Sequence, residues 1–164
     1  NFPSEPDETA WISFTFAGMI GALSAIGENG IAAFMDVGNY NIVVDENNLH
    51  PIFFSIRNGL EKVDYNADGE TNQFDVYQAI SDKTHLSPSI VHIVNSQFGI
   101  VVETNNNAGT VFRDETDNTI IPLNNLAATN HFRKLYAPVY CDRYAAIADS
   151  LNNDANVSVQ RSWD

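Results

Sequence analysis

Alternation of apolar and polar residues along the chain predicts short β-strands in two groups, separated by a central helical region. Gly27-Glu-Asn-Gly30 has the composition of a tight turn between two strands of the first group. The polar stretch 105–109 and the stretch 95–99 have the composition of hairpin turns in the second group. The predicted strands are 11–16, 19–26 and 31–37, followed by 89–96, 99–104 and 109–113.

Helical spacing of apolar residues appears in three other places. Phe53, Ile56 and Leu60 recur at helical intervals in 51–62, and 73–81 and 142–151 are also predicted helices. Two groups of strands combined with helices predict an α+β fold, in which a sheet is layered with helices. A length of 164 residues is consistent with a single domain spanning 1–164.

Charge and cysteine content exclude several classes of function. The chain carries 21 acidic residues against 8 basic ones, a net charge of −13, so phosphate binding to nucleic acid is not expected. No apolar run is long enough to span a membrane. Cys141 is the single cysteine, which excludes an internal disulfide, and the four histidines lack the short spacing of a zinc site.

The segment 64–75 matches a twelve-residue Ca²⁺ loop of the EF-hand or dockerin type. Oxygen-bearing side chains occupy loop positions 1, 3, 5, 9 and 12, and Gly69 at position 6 permits the sharp turn. Position 7 would contribute a backbone carbonyl, and position 9 would bind directly or through water. The expected ligands are Asp64, Asn66, Asp68, Glu70, Asn72 and Asp75.

The last of these ligands separates two kinds of calcium loop. Asp75 stands where helix-loop-helix calcium proteins have glutamate, and in this respect the loop resembles the dockerin type. The alternative interpretation is an acidic turn before a helix, because Asn-Ala-Asp-Gly favours turns without any metal. Ca²⁺ is the expected cofactor, and the calcium levels that such loops require favour a secreted or extracytoplasmic protein.

Several stretches, in order over 11–152, resemble the penicillin acyltransferase family of cysteine N-terminal-nucleophile hydrolases, relatives of the choloylglycine hydrolases. Phe16-Ala-Gly-Met-Ile-Gly21, followed by Ile26-Gly-Glu-Asn-Gly-Ile-Ala32, is similar to one family stretch. Leu126-Ala-Ala-Thr-Asn-His-Phe132 is similar to the Thr-Asn-His-Phe segment of the family, and Cys141-Asp-Arg-Tyr-Ala-Ala-Ile147 to a helix start. The segments 89–94, 100–104 and 111–113 resemble consecutive strands of the same family.

This resemblance implies an αββα sandwich and an enzyme that hydrolyses or transfers an acyl group from a small-molecule amide substrate. A cysteine at the mature N-terminus would attack the carbonyl, with its own α-amine as the base. By the same resemblance, Asn130 would donate a hydrogen bond to the oxyanion and Arg143 would steady the nucleophile region. Considered without the resemblance, the two residues fit a turn cap and an ion-pair partner.

The chain departs from the family pattern in ways that affect function. Residue 1 is asparagine, so no N-terminal cysteine is present and the chain alone is expected to be inactive. Gly27 stands where the family has an asparagine, and Asn39 and Asn41 are the two candidates to replace that asparagine. Cys141 occupies a family serine position and is expected to be structural. An upstream segment of the same precursor would then supply the nucleophile. Alternatively, the chain is a degenerate relative that retains only the centre of the family fold. The alternative function is an extracellular, non-catalytic calcium-binding interaction module.

Overall fold

Six antiparallel strands form one sheet, and their order in the sheet is their order along the chain. The computed structural model describes residues 2–39, 49–117 and 120–153. Each strand pairs with its sequence neighbour, so the sheet is a meander. The strands are β1 (Trp11–Phe14), β2 (Ser24–Gly27), β3 (Ala32–Val37), β4 (Ser89–Val94), β5 (Gly99–Asn105) and β6 (Gly109–Arg113).

Helices α1 (Ile52–Glu61) and α2 (Gln73–Ser81) lie between β3 and β4 in the chain and pack together against one face of the sheet. A 3-10 turn at Glu115–Asp117 follows β6, and α3 (Asp142–Asn153) comes last among the described residues. The predicted α+β class, with helices layered on a sheet, is confirmed. None of the helices in the described ranges combines the length and the apolar character needed to cross a bilayer.

One predicted strand is much shorter than expected. The alternation over 19–26 predicts a strand of eight residues, whereas β2 begins only at Ser24. Ala22, two residues before β2, contacts α1 instead, because its N–H donates to the Phe53 carbonyl at 3.0 Å. Gly21 permits this approach, since a Cβ atom there would collide with the Phe53 ring. The polar stretch 39–48, whose composition is typical of a loop, lies almost entirely outside the described residues.

The helix-facing side of the sheet carries the main hydrophobic core. Ala25, Ala33 and Ile93 stand in register on adjacent strands, and Ile100 continues the row onto β5. All four are at most 2% exposed and belong to the same cluster as the buried residues of α1 and α2. Full burial of each large aliphatic side chain stabilises the fold by about 1.5–3 kcal/mol, so this face determines where the helices sit.

The opposite face of the sheet is covered over only part of its width. Residues 126–136, here called the covering segment, pack on β4 and β5 through a small apolar cluster. Phe132 of this segment is 3% exposed and lies against Ile90 and Val101. The covering segment has no regular secondary structure, so side-chain contacts must hold it in place.

A buried ion pair fastens the covering segment to the sheet. Arg113 Nε donates to the Glu103 carboxylate at 2.9 Å, and both side chains are at most 1% exposed. The same carboxylate accepts the backbone N–H groups of residues 133, 134 and 135 at 2.9 Å each. Arg113 Nη2 donates to the Ala127 carbonyl at 2.7 Å, so the pair holds both ends of the segment.

The rest of this face is exposed and, apart from the hydrogen-bonded side chains of His92 and Asp36, largely apolar. It consists of side chains from β1, β2, β3 and β4 that point away from the helices. Their exposed fractions range from 37% to 73%, which is high for large apolar side chains in a sheet. This surface, called the open apolar face below, comprises Ile12, Phe14, Ile26, Phe34 and Val94.

His85 is buried between α1 and the segment that leads into β4. Its ring is 1% exposed, and its Nε2 forms a hydrogen bond with Ser55 Oγ at 3.0 Å. Burial lowers the pKa of His85 from 6.5 to about 4, and the nearby His50 acts in the same direction. The ring is therefore neutral in the folded protein at neutral pH.

Replacing Glu103 with glutamine should destabilise the fold by about 3–5 kcal/mol, because it leaves the buried Arg113 charge without its counter-charge. Urea unfolding followed by circular dichroism measures this loss. Glu28→Gln is the matched control, since Glu28 is exposed and should change stability by less than about 0.5 kcal/mol. Equal urea midpoints of unfolding for Glu103→Gln and Glu28→Gln would contradict the stabilising role assigned to the ion pair.

The free energy of unfolding should fall as the pH drops from about 6.5 to about 4, because the buried His85 ring resists protonation in the folded protein. In the unfolded chain the ring takes up a proton near pH 6.5, whereas in the folded protein it does so only near pH 4. The loss of stability is therefore absent above pH 6.5 and grows as the pH falls from 6.5 to 4. The full effect is about 3 kcal/mol by proton linkage. Urea unfolding of the wild type and His85→Gln across this range isolates the effect, and parallel pH profiles would exclude it.

Candidate functional site

Asn130 lies in the middle of the covering segment and is tied to the end of β3. Its side-chain Nδ2 donates to the Val37 carbonyl at 2.8 Å. The backbone carbonyl of Asn130 accepts the backbone N–H of Asn39 at 2.6 Å. These two hydrogen bonds join two parts of the chain that are about 90 residues apart in sequence. The residue is therefore fixed by tertiary contacts and does not cap a local turn.

Arg143 lies in the first turn of α3 and contacts Asn130 directly. Arg143 Nη2 donates to Asn130 Oδ1 at 2.9 Å. Because the oxygen of the Asn130 amide faces a cation and its nitrogen faces a carbonyl, the amide has one consistent orientation. The second N–H of this amide has no acceptor among the described residues. The structure thus brings together the two predicted catalytic residues, while their catalytic roles stay predictions.

Asn39 also belongs to this neighbourhood. Its Nδ2 lies 3.2 Å from His131 Nε2, next to the backbone contact with Asn130. Of the two expected substitutes for the family asparagine, Asn39 therefore lies beside the site. Asn41 falls outside the described residues.

Cys141 immediately precedes α3 and is buried, at 8% exposure. Its Sγ lies 3.5 Å from Thr129 Oγ1, and this hydrogen bond is the main cause that lowers the thiol pKa. The backbone N–H groups of Tyr144 and Arg143 lower the pKa further, whereas burial raises it. The sulfur is thus enclosed and hydrogen-bonded, and the structural role expected of Cys141 stays a prediction.

The predicted calcium loop is closed by its own side chains. Both Asp64 carboxylate oxygens accept the Gly69 N–H at 3.1 Å, which spans loop positions 1 and 6. Asn66 Oδ1 accepts the Asp68 N–H at 3.1 Å, and Asp68 Oδ1 accepts the Glu70 N–H at 2.9 Å. Gly69 has a φ of 91°, a conformation that favours glycine. The oxygens at positions 1, 3 and 5 are therefore held within one tight turn.

Asp75 closes the loop from the first turn of α2. Its two oxygens accept the N–H groups of Asn66, at 3.1 Å, and of Asn72, at 2.7 Å. Burial raises the pKa of Asp75, these two N–H donors oppose the shift, and the charges of Asp68 and Asp64 raise it further. The loop therefore gathers carboxylates that repel one another, which is the condition a bound cation would relieve.

The chemistry of the expected ligands suits Ca²⁺, because each of them offers an oxygen atom. Some of these oxygens are already occupied, for example Asn72 Oδ1, which accepts the Phe74 N–H at 2.8 Å. Across the described ranges, no three histidine, cysteine, aspartate or glutamate side chains form a group that could hold a metal ion. Ca²⁺ binding at this loop is thus a prediction that rests on the spacing and the carboxylate repulsion.

Sequence reasoning did not identify the Glu103–Arg113 pair. A glutamate within the apolar stretch Ile100-Val-Val-Glu-Thr104 was the available signal, because an unpaired charge in a buried strand is costly. Its partner depends on the register between β5 and β6, which the sequence does not reveal.

The chain matches no protein-family model and no curated protein. The resemblance to N-terminal-nucleophile hydrolases therefore depends on the short stretches described above.

Added Ca²⁺ should raise the melting temperature, and EDTA should lower it again, because a ligand that binds only the folded state stabilises it. Asp68→Ala should weaken Ca²⁺ binding at least tenfold in isothermal titration calorimetry, since it removes a charged ligand. Asp149→Ala is the matched control, an exposed aspartate on α3 that should leave binding unchanged. Identical melting with and without the metal would show that the loop is only a turn.

Proposed function

We propose that the chain is part of a cysteine N-terminal-nucleophile amidohydrolase or acyltransferase that acts on an amide C–N bond. The observation that carries this proposal is the 2.9 Å hydrogen bond between Arg143 and Asn130. The two residues come from different motifs, and both match positions with catalytic roles in the resembled family. Direct contact between them is what a shared site requires.

Asn130 has the geometry of a preorganised hydrogen-bond donor. Its amide is held by Val37 and Arg143, so the remaining N–H is fixed without further ordering. Such a donor, aimed at the oxygen of a tetrahedral intermediate, lowers the barrier by about 3 kcal/mol. The positive charge of Arg143 polarises the same amide and so strengthens its N–H as a donor.

The nucleophile belongs to the upstream segment of the same precursor in this proposal. Its cysteine sulfur would attack the amide carbonyl, and its α-amine would take the thiol proton and pass it to the leaving amine. Water would then release the acid, or a second amine would take the acyl group. Cys141 is unsuited to this role, because its sulfur is enclosed between Thr129 and the start of α3.

The open apolar face supports the αββα form of this proposal. In such a sandwich a second sheet packs on the face that the helices leave uncovered. The exposed side chains include Phe14 and Phe34 at 73% and 45% exposure, an apolar surface that suits this packing. A second sheet would continue the coverage that the covering segment provides over β4 and β5.

The calcium loop fits this enzyme as a structural element in a secreted or extracytoplasmic setting. A bound Ca²⁺ would neutralise the carboxylates that surround the start of α2. The loop is joined to α2, which packs on the helix side of the sheet, whereas Asn130 belongs to the segment on the opposite side. The metal would thus stabilise the fold and take no part in the chemistry.

A non-catalytic, extracellular calcium-binding interaction module is the second candidate. The observation that favours it is the combination of a closed acidic loop with the open apolar face, which suits partner binding without any nucleophile. The two candidates differ in whether the complete gene product turns over an amide.

The gene product that includes the residues encoded upstream of Asn1 should hydrolyse N-acyl amino acids or penicillins, as measured by chromatography of the released amine. Asn130→Ala should lower kcat about 100- to 1,000-fold with little change in KM, because it removes an oxyanion donor. Asn107→Ala, an exposed asparagine in the β5–β6 turn, is the matched control and should retain full activity.

Full activity in Asn130→Ala would contradict the role given to this residue. Turnover by the 164-residue chain alone, abolished in Cys141→Ala, would transfer the nucleophile to Cys141. A complete gene product that binds Ca²⁺ but hydrolyses no amide would favour the interaction module.

A further inference from the structure

The open apolar face exposes more apolar surface than a soluble monomer usually leaves in one place. Its five side chains together expose roughly 500 Å², whereas the largest apolar patch on a typical monomer covers about 300–600 Å². Phe2, which is 89% exposed and lies beside Ile12 and Ile26, adds about 200 Å². Contiguous apolar surface of this extent is typical of an interaction site.

The charged groups of the sheet are paired with one another. Among the described residues, the six strands contain four titratable side chains, and these form two pairs. His92 Nε2 lies 3.1 Å from Asp36 Oδ2, and Glu103 pairs with Arg113 where the covering segment lies on the sheet. The net charge of −13 is therefore carried almost entirely outside the strands. A second molecule can approach this face without meeting an unpaired acidic side chain of a strand.

The shape of the sheet favours another sheet as the occupant of this face. Two sheets stack face to face about 10 Å apart, with strand directions within about 30° of each other, because each sheet is twisted. Two copies of the same sheet have the same twist, so the open apolar face can pack on itself. Such contact between identical surfaces is the usual form of a two-fold symmetric dimer.

A notch of about 400 Å³ at the edge of the face offers a place for an anchoring side chain. Phe2, Ile12 and Ile26 line this notch, and Glu28 is the one charged residue in its wall. The notch has room for an aromatic ring. Phe14 and Phe34, at 73% and 45% exposure, are the aromatic side chains that a second copy would present. Aromatic anchors seated in apolar pockets contribute much of the binding energy at protein interfaces.

A lipid surface and a small molecule fit the open apolar face less well than a second sheet does. The chain has 8 basic residues against 21 acidic ones, so anionic lipid headgroups would repel it. Small-molecule sites are concave and enclose most of the ligand, whereas this face is the open surface of a sheet.

We propose that the open apolar face binds the same face of a second copy of this chain, so that the two sheets form the middle layers of a symmetric dimer. The helices of each copy then lie on the outside. Roughly 1,000–1,400 Å² of apolar surface is buried in total, which reaches the approximately 1,000 Å² that a specific interface needs. This inference depends on the fold alone and stands independently of the proposed hydrolase function.

Sedimentation equilibrium of the 164-residue chain measures this association directly. At micromolar concentrations the mass should approach twice the 18.1 kDa of one chain. Phe34→Glu places an unpaired charge on β3, within the face, and should weaken dimerisation about 100-fold or more. Leu86→Glu is the matched control, because it adds the same charge at a half-exposed residue in the loop between α2 and β4 and should leave the dimer unchanged.

Two further measurements keep the test decisive if Phe34→Glu folds poorly, as judged by circular dichroism. Ile12→Glu places the charge on the edge strand β1 instead and should also give a monomer. In the wild type, raising NaCl from about 0.05 M to about 0.5 M should tighten the dimer, because salt screens the repulsion between two copies of net charge −13.

Three results would overturn the proposal. They are a wild-type mass of 18.1 kDa at high micromolar concentration, equal dissociation constants for Phe34→Glu and Leu86→Glu, and a dimer that salt weakens. A monomeric gene product that includes the residues encoded upstream of Asn1 would also overturn it, since another part of the same chain would then cover the face. None of these masses depends on amide turnover, so the dimer can fail while the hydrolase proposal stands.

Discussion

The buried pair of Glu103 and Arg113 is the constraint on which the side of the sheet that carries Asn130 depends. Leaving either charge unpaired inside the protein would cost several kcal/mol, so the chain must surround the pair with matching groups. The covering segment provides them, with three successive N–H groups at 133–135 and the Ala127 carbonyl. Asn130 lies between these two points, so its position follows from the satisfaction of two charges. The proposed oxyanion donor is thus rigid although it lies in irregular structure.

The unequal covering of the two sheet faces has a related origin. The face toward α1 and α2 is lined by small and aliphatic side chains in register, which close-packed helices can bury completely. The other face carries the buried Glu103–Arg113 pair near one edge, the partly exposed His92 and Asp36 on β4 and β3, and large apolar side chains toward the opposite edge. The charged part attracts a segment rich in backbone donors, whereas Phe14 and Phe34 offer no polar group to hold an irregular segment. A second sheet has its own backbone hydrogen bonds satisfied, so it is the element best suited to the open apolar face.

Local patterns predicted the fold class and most elements, because those depend on residues close in sequence. The bounds of α2 were predicted correctly since Asn72 caps the helix and its apolar residues follow a helical period. The strand over 19–26 was predicted too long, because contact with Phe53 on α1 overrides the local alternation. The Glu103–Arg113 pair was not predictable, since it depends on strand register. Asn130 and Arg143 became candidates through a family resemblance alone, and no spacing in the sequence indicates that they touch.

Asp75 explains why the acidic loop belongs to the stability of the fold. One of its oxygens fixes the loop at Asn66, and the other fixes the N-terminus of α2 at Asn72. The next residue, Val76, is fully buried in the core that α2 forms with α1 and the sheet. A cation among these carboxylates would lower the pKa of Asp75, opposing the effects of burial and of Asp64 and Asp68. Metal binding would therefore keep this carboxylate ionised where the loop, the helix and the core meet, so its effect would be on folding and not on the chemistry near Asn130.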